Sequence, residues 1–148
     1  MSEIPDWIED DSNEQGKRNA AKIIERGAEF YLNVVSRLEV NAKYLPKTGA
    51  QGRVSYLSKP GERELRCRLD MRADQGSPAI TYSDLLHTVG SRVIQYRPSG
   101  AGACDFQLCI LDDGEIGVVA DGRYDRMTAE KFADWIAEST RGRLRQVA

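Results

Sequence analysis

One histidine, three cysteines and a scatter of carboxylates are the groups in this chain that could carry nucleophilic, acid–base or metal chemistry. His87 is the sole imidazole, so a Ser-His-Asp or Cys-His arrangement has to be built around it, and no G-x-S-x-G elbow presents a serine. Cys67 and Cys104 fall in step with apolar neighbours, as buried free cysteines do. Cys104 and Cys109 fall on opposite faces of one strand, and no C-x-x-C or H-x-x-x-H spacing completes a zinc site. Asp112, Asp113, Gly114 and Glu115 lack the ligand series of a calcium loop and have the composition of a hairpin turn. Gly100 to Asp105 (GAGACD) is glycine-rich, but a phosphate loop feeds a helix, and here a strand follows. The polar run Asp121 to Arg126 positions no substrate. The expectation is therefore no catalytic residue, no metal and no cofactor.

Arginine is the residue type whose placement asks for an explanation. In Glu64 to Arg72 (ELRCRLDMR), Leu65, Cys67, Leu69 and Met71 alternate with polar residues, so Arg66, Arg68 and Arg72 share one face of a strand. Arg97 joins them from another strand by the same alternation. Such a face has two readings. Glu64, Asp70 and Asp105 can pair with the arginines across strands, worth a few tenths of a kcal/mol each. Alternatively, the guanidinium forks collect a carboxylate, a phosphate or an acidic protein segment, for which arginine is better shaped than lysine. The chain carries one such segment itself: residues 1–12 hold Glu3, Asp6, Glu9, Asp10 and Asp11 with no base, and Ile4, Trp7 and Ile8 stand among them. Trp7 is accordingly a candidate docking residue, on a partner or on this chain.

The elements that must hold these residues follow from periodicity. Ser12 to Gln15 forms a capping box, after which Ile24, Ala28, Tyr31, Val35, Leu38, Ala42 and Leu45 recur at helical spacing, widened by Ile23, Phe30 and Val34. Pro46 ends this helix of about 30 residues. Gly27 inside it costs about 1 kcal/mol against alanine, which points to close approach of another backbone. Strands are expected over Arg53–Ser58, Glu64–Arg72, Ala79–Tyr82, Arg92–Arg97, Cys104–Ile110 and Ile116–Ala120, with Ser83–His87 ambiguous between strand and a helical turn. Gly61 and Gly114 are suited to turn positions. Thr128 caps a final helix with Phe132, Trp135 and Ile136 on one face and Arg141 and Arg143 near its end.

Hairpin-length connections leave no room for parallel crossovers. The fold class is α+β: a long N-terminal helix, an antiparallel meander of five or six strands and a C-terminal helix, both helices on one face of the sheet. Residues 1–12 are read as an acidic mobile arm and 13–148 as a single domain, which at this length buries roughly two-thirds of its unfolded surface. A formal charge of -2 and a pI near 5.5 give no general pull toward nucleic acid or anionic membrane. With no secretory signal, no membrane-spanning run and an odd cysteine count, a cytoplasmic protein is expected.

These observations point to a non-catalytic protein-interaction module that uses the arginine-bearing face or the long helix, whose spacing also suits a homodimer seam. Adaptors, chaperones and inhibitors are proteins of this kind, by size and class alone. The alternative is a small-ligand-binding protein or enzyme with a pocket between helices and sheet, walled by Tyr31, His87, Tyr96 and Trp135. Nucleic acid ranks last, since no aromatic platform is placed beside the arginines.

Overall fold

The computed structural model describes residues 14–44, 51–59, 61–73, 80–120 and 125–147. In chain order these form α1 (Glu14–Tyr44), β1 (Gln51–Tyr56), β2 (Glu64–Arg72), β3 (Ile80–Thr88), β4 (Val93–Pro98), β5 (Cys104–Ile110), β6 (Ile116–Ala120), β7 (Arg126–Met127) and α2 (Ala129–Val147). The seven strands make one sheet in sequential order, antiparallel throughout. The meander is thus as expected, but it has seven strands rather than five or six. The extra strand is β7, where two residues of the polar Asp121–Arg126 neighbourhood and its flank pair with Val118 and Val119. The N-terminal arm with Trp7, and Ser12 of the expected capping box, lie outside the described residues, as do Leu45 and Pro46.

Ser83–His87 resolves as strand. Pairing runs unbroken from Glu64↔Thr88 to Arg72↔Ile80, so the ladder with β2 overrides the local helical option. Turn chemistry behaves as the residue types require: Gly61 takes a φ of 86° and the Glu62 amide donates to the Lys59 carbonyl. Gly114 takes 85° in the β5–β6 hairpin, where the Glu115 amide donates to Asp113 Oδ1 at 2.9 Å. Lys22 of α1 donates its ammonium to the Gly114 carbonyl, which ties that hairpin to the long helix.

Alternation assigns the two sheet faces. Cys67, Leu69, Met71, Leu85, Ile94, Tyr96, Phe106, Leu108 and Val118 point to one side and join Ile23, Phe30, Tyr31, Val34, Val35 and Leu38 of α1 with Phe132 and Ile136 of α2 in a single core. At about 25 cal/mol per Å² of apolar surface, each large side chain in that core stabilises by roughly 1.5–3 kcal/mol. Ile24 is 47% exposed, so Ile23 and not Ile24 carries the stripe inward. Thr128 caps α2 through Oγ1, which accepts the Lys131 amide. The helices are joined by Asp134 of α2, which accepts from Asn41 Nδ2 at 2.9 Å and Arg37 Nε at 3.2 Å. Burial pushes the Asp134 carboxyl up, but these two donors outweigh it and hold it below its ordinary range.

Gly27 meets side chains rather than the backbone expected from its position. A Cβ there would stand 3.0 Å from Leu108 Cδ1 and 3.3 Å from His87 Nε2. The glycine lets α1 settle onto β3 and β5 with an imidazole in between.

Candidate interaction face

The outer face of the sheet, away from α1 and α2, carries the arginines. On β2, Arg68 lies opposite Asp84 of β3, which in turn lies opposite Arg97 of β4, so three charges alternate in sign along one row across three strands. Arg68 holds Asp84 with a two-pronged contact, Nε at 2.7 Å and Nη2 at 2.9 Å. Its guanidinium also lies 4.1 Å from the centroid of the Tyr82 ring. The hydrogen bonds to Asp84 raise the Arg68 pKa further above its already high value, so this charge is permanent.

Arg66 pairs with Glu64 along its own strand, at 2.8 Å. Arg97 Nε donates to Gln95 Oε1 at 2.6 Å. Among the described residues no ion pair holds Arg97 or Arg72.

The expected pairing partners are therefore partly different. Glu64 is used, but the carboxylate that crosses strands is Asp84, and Asp105 accepts from Gln95 instead. Asp70 lies opposite Arg53 and Tyr82. Burial raises its carboxyl, and the nearby Arg68 charge offsets only part of that. An aromatic does stand beside the arginines: Tyr82 alternates onto the same face as Arg68, where the arginine itself covers it.

Of the four residues expected to wall a pocket, Tyr31, His87 and Tyr96 are buried, and Trp135 is partly buried against the core. Tyr31 donates its hydroxyl to the Leu85 carbonyl at 2.9 Å and stacks on His87, ring centroids 5.9 Å apart at 22°. Burial drives the Tyr31 pKa far up and raises the neighbouring Cys67 thiol to about 11, so both are held neutral. His87 is 1% exposed. Its Nδ1 donates to the Val93 carbonyl at 3.0 Å, which assigns the tautomer, and Nε2 is buried with no hydrogen-bond partner. Burial lowers the His87 pKa. Ser91 Oγ lies 3.4 Å from Nδ1, but its proton goes to the same Val93 carbonyl at 3.2 Å, and no carboxylate stands at either nitrogen among the hydrogen bonds described, so this is a core imidazole.

Tyr96 packs edge-on to Phe106 and Trp135 at 6.3 and 5.2 Å. Trp135 also borders a shallow groove with Arg126, Lys131 and Glu138. A cleft of about 380 Å³ lies elsewhere, between Phe30 of α1, Ile116 of the hairpin and Ala129 at the start of α2.

The cysteines exchange roles. Cys109 is buried and Cys104 exposed, although Cys104 has the parity of the core residues. Cys104 is the first residue of β5, short of the cover that Phe132 and Trp135 give Phe106. Among the described residues no group of histidine, cysteine and carboxylate side chains could hold a metal ion.

A polar network that no sequence pattern announced ties α2 to β3 and β4. Arg143 donates to Tyr96 Oη at 2.8 Å, Ser139 Oγ at 2.9 Å, the Tyr82 carbonyl at 2.9 Å and Ser83 Oγ at 2.7 Å. Ser83 Oγ in turn lies 2.7 Å from Thr140 Oγ1. Ser139 is one helical turn from Arg143, but Tyr96, Ser83 and Tyr82 are 47, 60 and 61 residues away, so only chain folding brings them to it. The one legible signal was the placement of Ser83 at a core-facing position of a strand.

No family model matches this chain, and no curated protein or solved structure matches it either. No helix among the described residues is long and apolar enough to cross a membrane.

Proposed function

We propose that this protein is a non-catalytic interaction module that binds an acidic segment of another protein on the outer face of β2, β3 and β4. The row Arg68–Asp84–Arg97 carries the reading. It leaves one net positive charge, with Arg97 exposed at its end and donating only to a neutral glutamine. Arg72 adds a second exposed guanidinium at the end of β2. Arginine forks of this kind recognise carboxylates bidentately, and Tyr82 beneath Arg68 keeps one fork rigid. The burial of Tyr31, His87 and Tyr96 in the helix–sheet packing supports this reading over the small-ligand alternative. The helix-seam reading also loses surface: most of the α1 stripe is spent on the core. Exposed Ile24, Leu32 and Val40 recur every eight residues, which rotates each by about 80° from the last and makes no straight seam.

Native mass spectrometry of the chain isolated from its own cells tests this directly. An added protein mass is expected, and Arg72→Glu with Arg97→Glu should remove it without changing the thermal melt. A protein complex that survives the double substitution undiminished, or an added small-molecule mass alone, refutes the reading.

A further inference from the structure

The outer face also carries an apolar patch that a solvated face does not explain. Leu86 on β3, Val93 on β4, Cys109 on β5 and Val119 on β6 all have the parity opposite to the core residues Leu85, Ile94, Leu108 and Val118. Register makes them neighbours. Val93 lies opposite Gln107, Gln107 opposite Val119, Cys109 opposite Gly117, and Leu86 opposite Gln95, two residues from Val93. Cys109 and Val119 have no exposed surface and Leu86 only 8%, yet none of the three belongs to the main core. Arg126, which reaches across to the Ile110 carbonyl, shields one margin, and Leu111 packs over Gly117, the cross-strand partner of Cys109, at the other, while Leu86 and Val93 have no such local cover among the described residues. A sheet with helices on one side normally shows alternating burial, so apolar side chains sealed on the far side call for a second cover.

We propose that this cover is the chain's own N-terminal segment, residues 1–13, with Ile4, Trp7 and Ile8 on the patch and the acidic residues against the neighbouring arginines. Three features of the molecule select this occupant. First, the segment starts in the right place: Lys22, two turns into α1, is bonded to the tip of the β5–β6 hairpin, beside the patch. Second, it is long enough. Thirteen extended residues reach up to about 43 Å, whereas the patch from β6 to β3 spans three strand spacings, about 14 Å. Third, its chemistry matches. Glu3, Asp6, Glu9, Asp10 and Asp11 face no base within the segment, and Arg97 and Arg126 lie on the same outer face. Where the outer face is the partner site, the segment is its resident competitor, and a partner with an acidic, apolar sequence gains access by displacing it. That consequence rests on the interaction reading; the contact itself does not.

Thiol counting with Ellman's reagent on the full-length, folded chain tests the contact. In a Cys104→Ser background, which removes the exposed thiol, the two remaining cysteines are buried and should react slowly. Adding Trp7→Ser and Ile8→Ser should accelerate one thiol at least tenfold, and Cys109→Ser should abolish that fast phase. Cys67, in the main core, reports on folding: should it react as well, Asp6→Lys with Glu9→Lys replaces the apolar pair and the same count decides. A Cys109 that reacts at the same rate with and without the substitutions overturns the proposal. An unchanged thiol count leaves the partner reading standing, and loss of the partner reading leaves the thiol count unaffected.

Discussion

Mild acid, above the carboxylate range, should weaken this protein through one residue. His87 is the chain's only histidine. It is sealed beneath α1, against Tyr31 and Gly27, with Nδ1–H bound to the Val93 carbonyl and Nε2 facing Gly27. A proton on Nε2 would be a buried charge with no acceptor, so burial holds the folded-state pKa below the ordinary value. In the unfolded chain the imidazole titrates near 6.5. The unfolded state therefore binds the extra proton first as pH falls. The stabilisation is complete above about 6.5 and is lost on acidification toward the folded-state pKa.

While the folded imidazole stays neutral, the loss is RT ln(1 + 10^(6.5−pH)), about 1.4 kcal/mol at pH 5.5 against about 0.2 at pH 7.0. The difference therefore reaches at most about 1.2 kcal/mol, or about 0.6 M in urea midpoint for a slope of about 2 kcal/mol/M. His87→Phe is the control. It keeps the stack on Tyr31, and the Val93 carbonyl retains the Ser91 hydroxyl at 3.2 Å. Asp70, whose carboxyl is raised by burial, contributes with the opposite sign but equally in both proteins, so it cancels in the difference. Urea melts at the two pH values should show the loss in the parent and not in His87→Phe. Equal losses in both proteins would refute the buried neutral imidazole.

Two further perturbations test the packing. A Cβ on Gly117 would stand 2.4 Å from Leu111 Cδ2 and 2.8 Å from the Met127 carbonyl oxygen, so Gly117→Ala should cost about 2–3 kcal/mol by overpacking. A thermal melt within a degree of the parent would contradict that approach between β6 and β7. Tyr96→Phe removes one acceptor from Arg143 and should cost about 1–2 kcal/mol. Combined with Ser83→Ala in a double-mutant cycle, it should show a coupling of at least about 0.5 kcal/mol, because both groups accept from the same guanidinium. Strict additivity in chemical denaturation would mean that the network does not act as a unit.

Most of the fold is written in local pattern. The seven-residue and nine-residue alternations of β5 and β2 have their ends where the sequence places them, because a half-buried strand needs period two and its neighbours need turn residues. The long helix likewise shows itself through its 3.6 period. Where local signals compete, the sequence is silent. SDLLH reads equally well as a helical turn, and only the full-length ladder with β2 makes it strand. The two residues of β7 are too few to carry a period at all. Of the expected site, the shared face of Arg66, Arg68 and Arg97 follows from alternation, whereas their partners do not. Asp84 belongs to a strand 16 residues from Arg68, and no rule of spacing within one strand can find it.

Parity along a strand is thus a property of the sequence, and burial is a property of what lies above. Parity placed Cys104 with the core and Cys109 outside it, and the tertiary structure reversed both, since one end of β5 has no helix over it while the outer side of β6 is covered. In the same way the sequence alone determined that there would be one imidazole, three cysteines and an arginine-bearing strand face. It required the tertiary structure to bring His87 against Tyr31 and Gly27, Arg143 against Tyr96 and Ser83, and Arg68 against Asp84. Hydrogen bonds, ion pairs and close packing act over a few ångströms of space, and the chain brings those ångströms together only by folding.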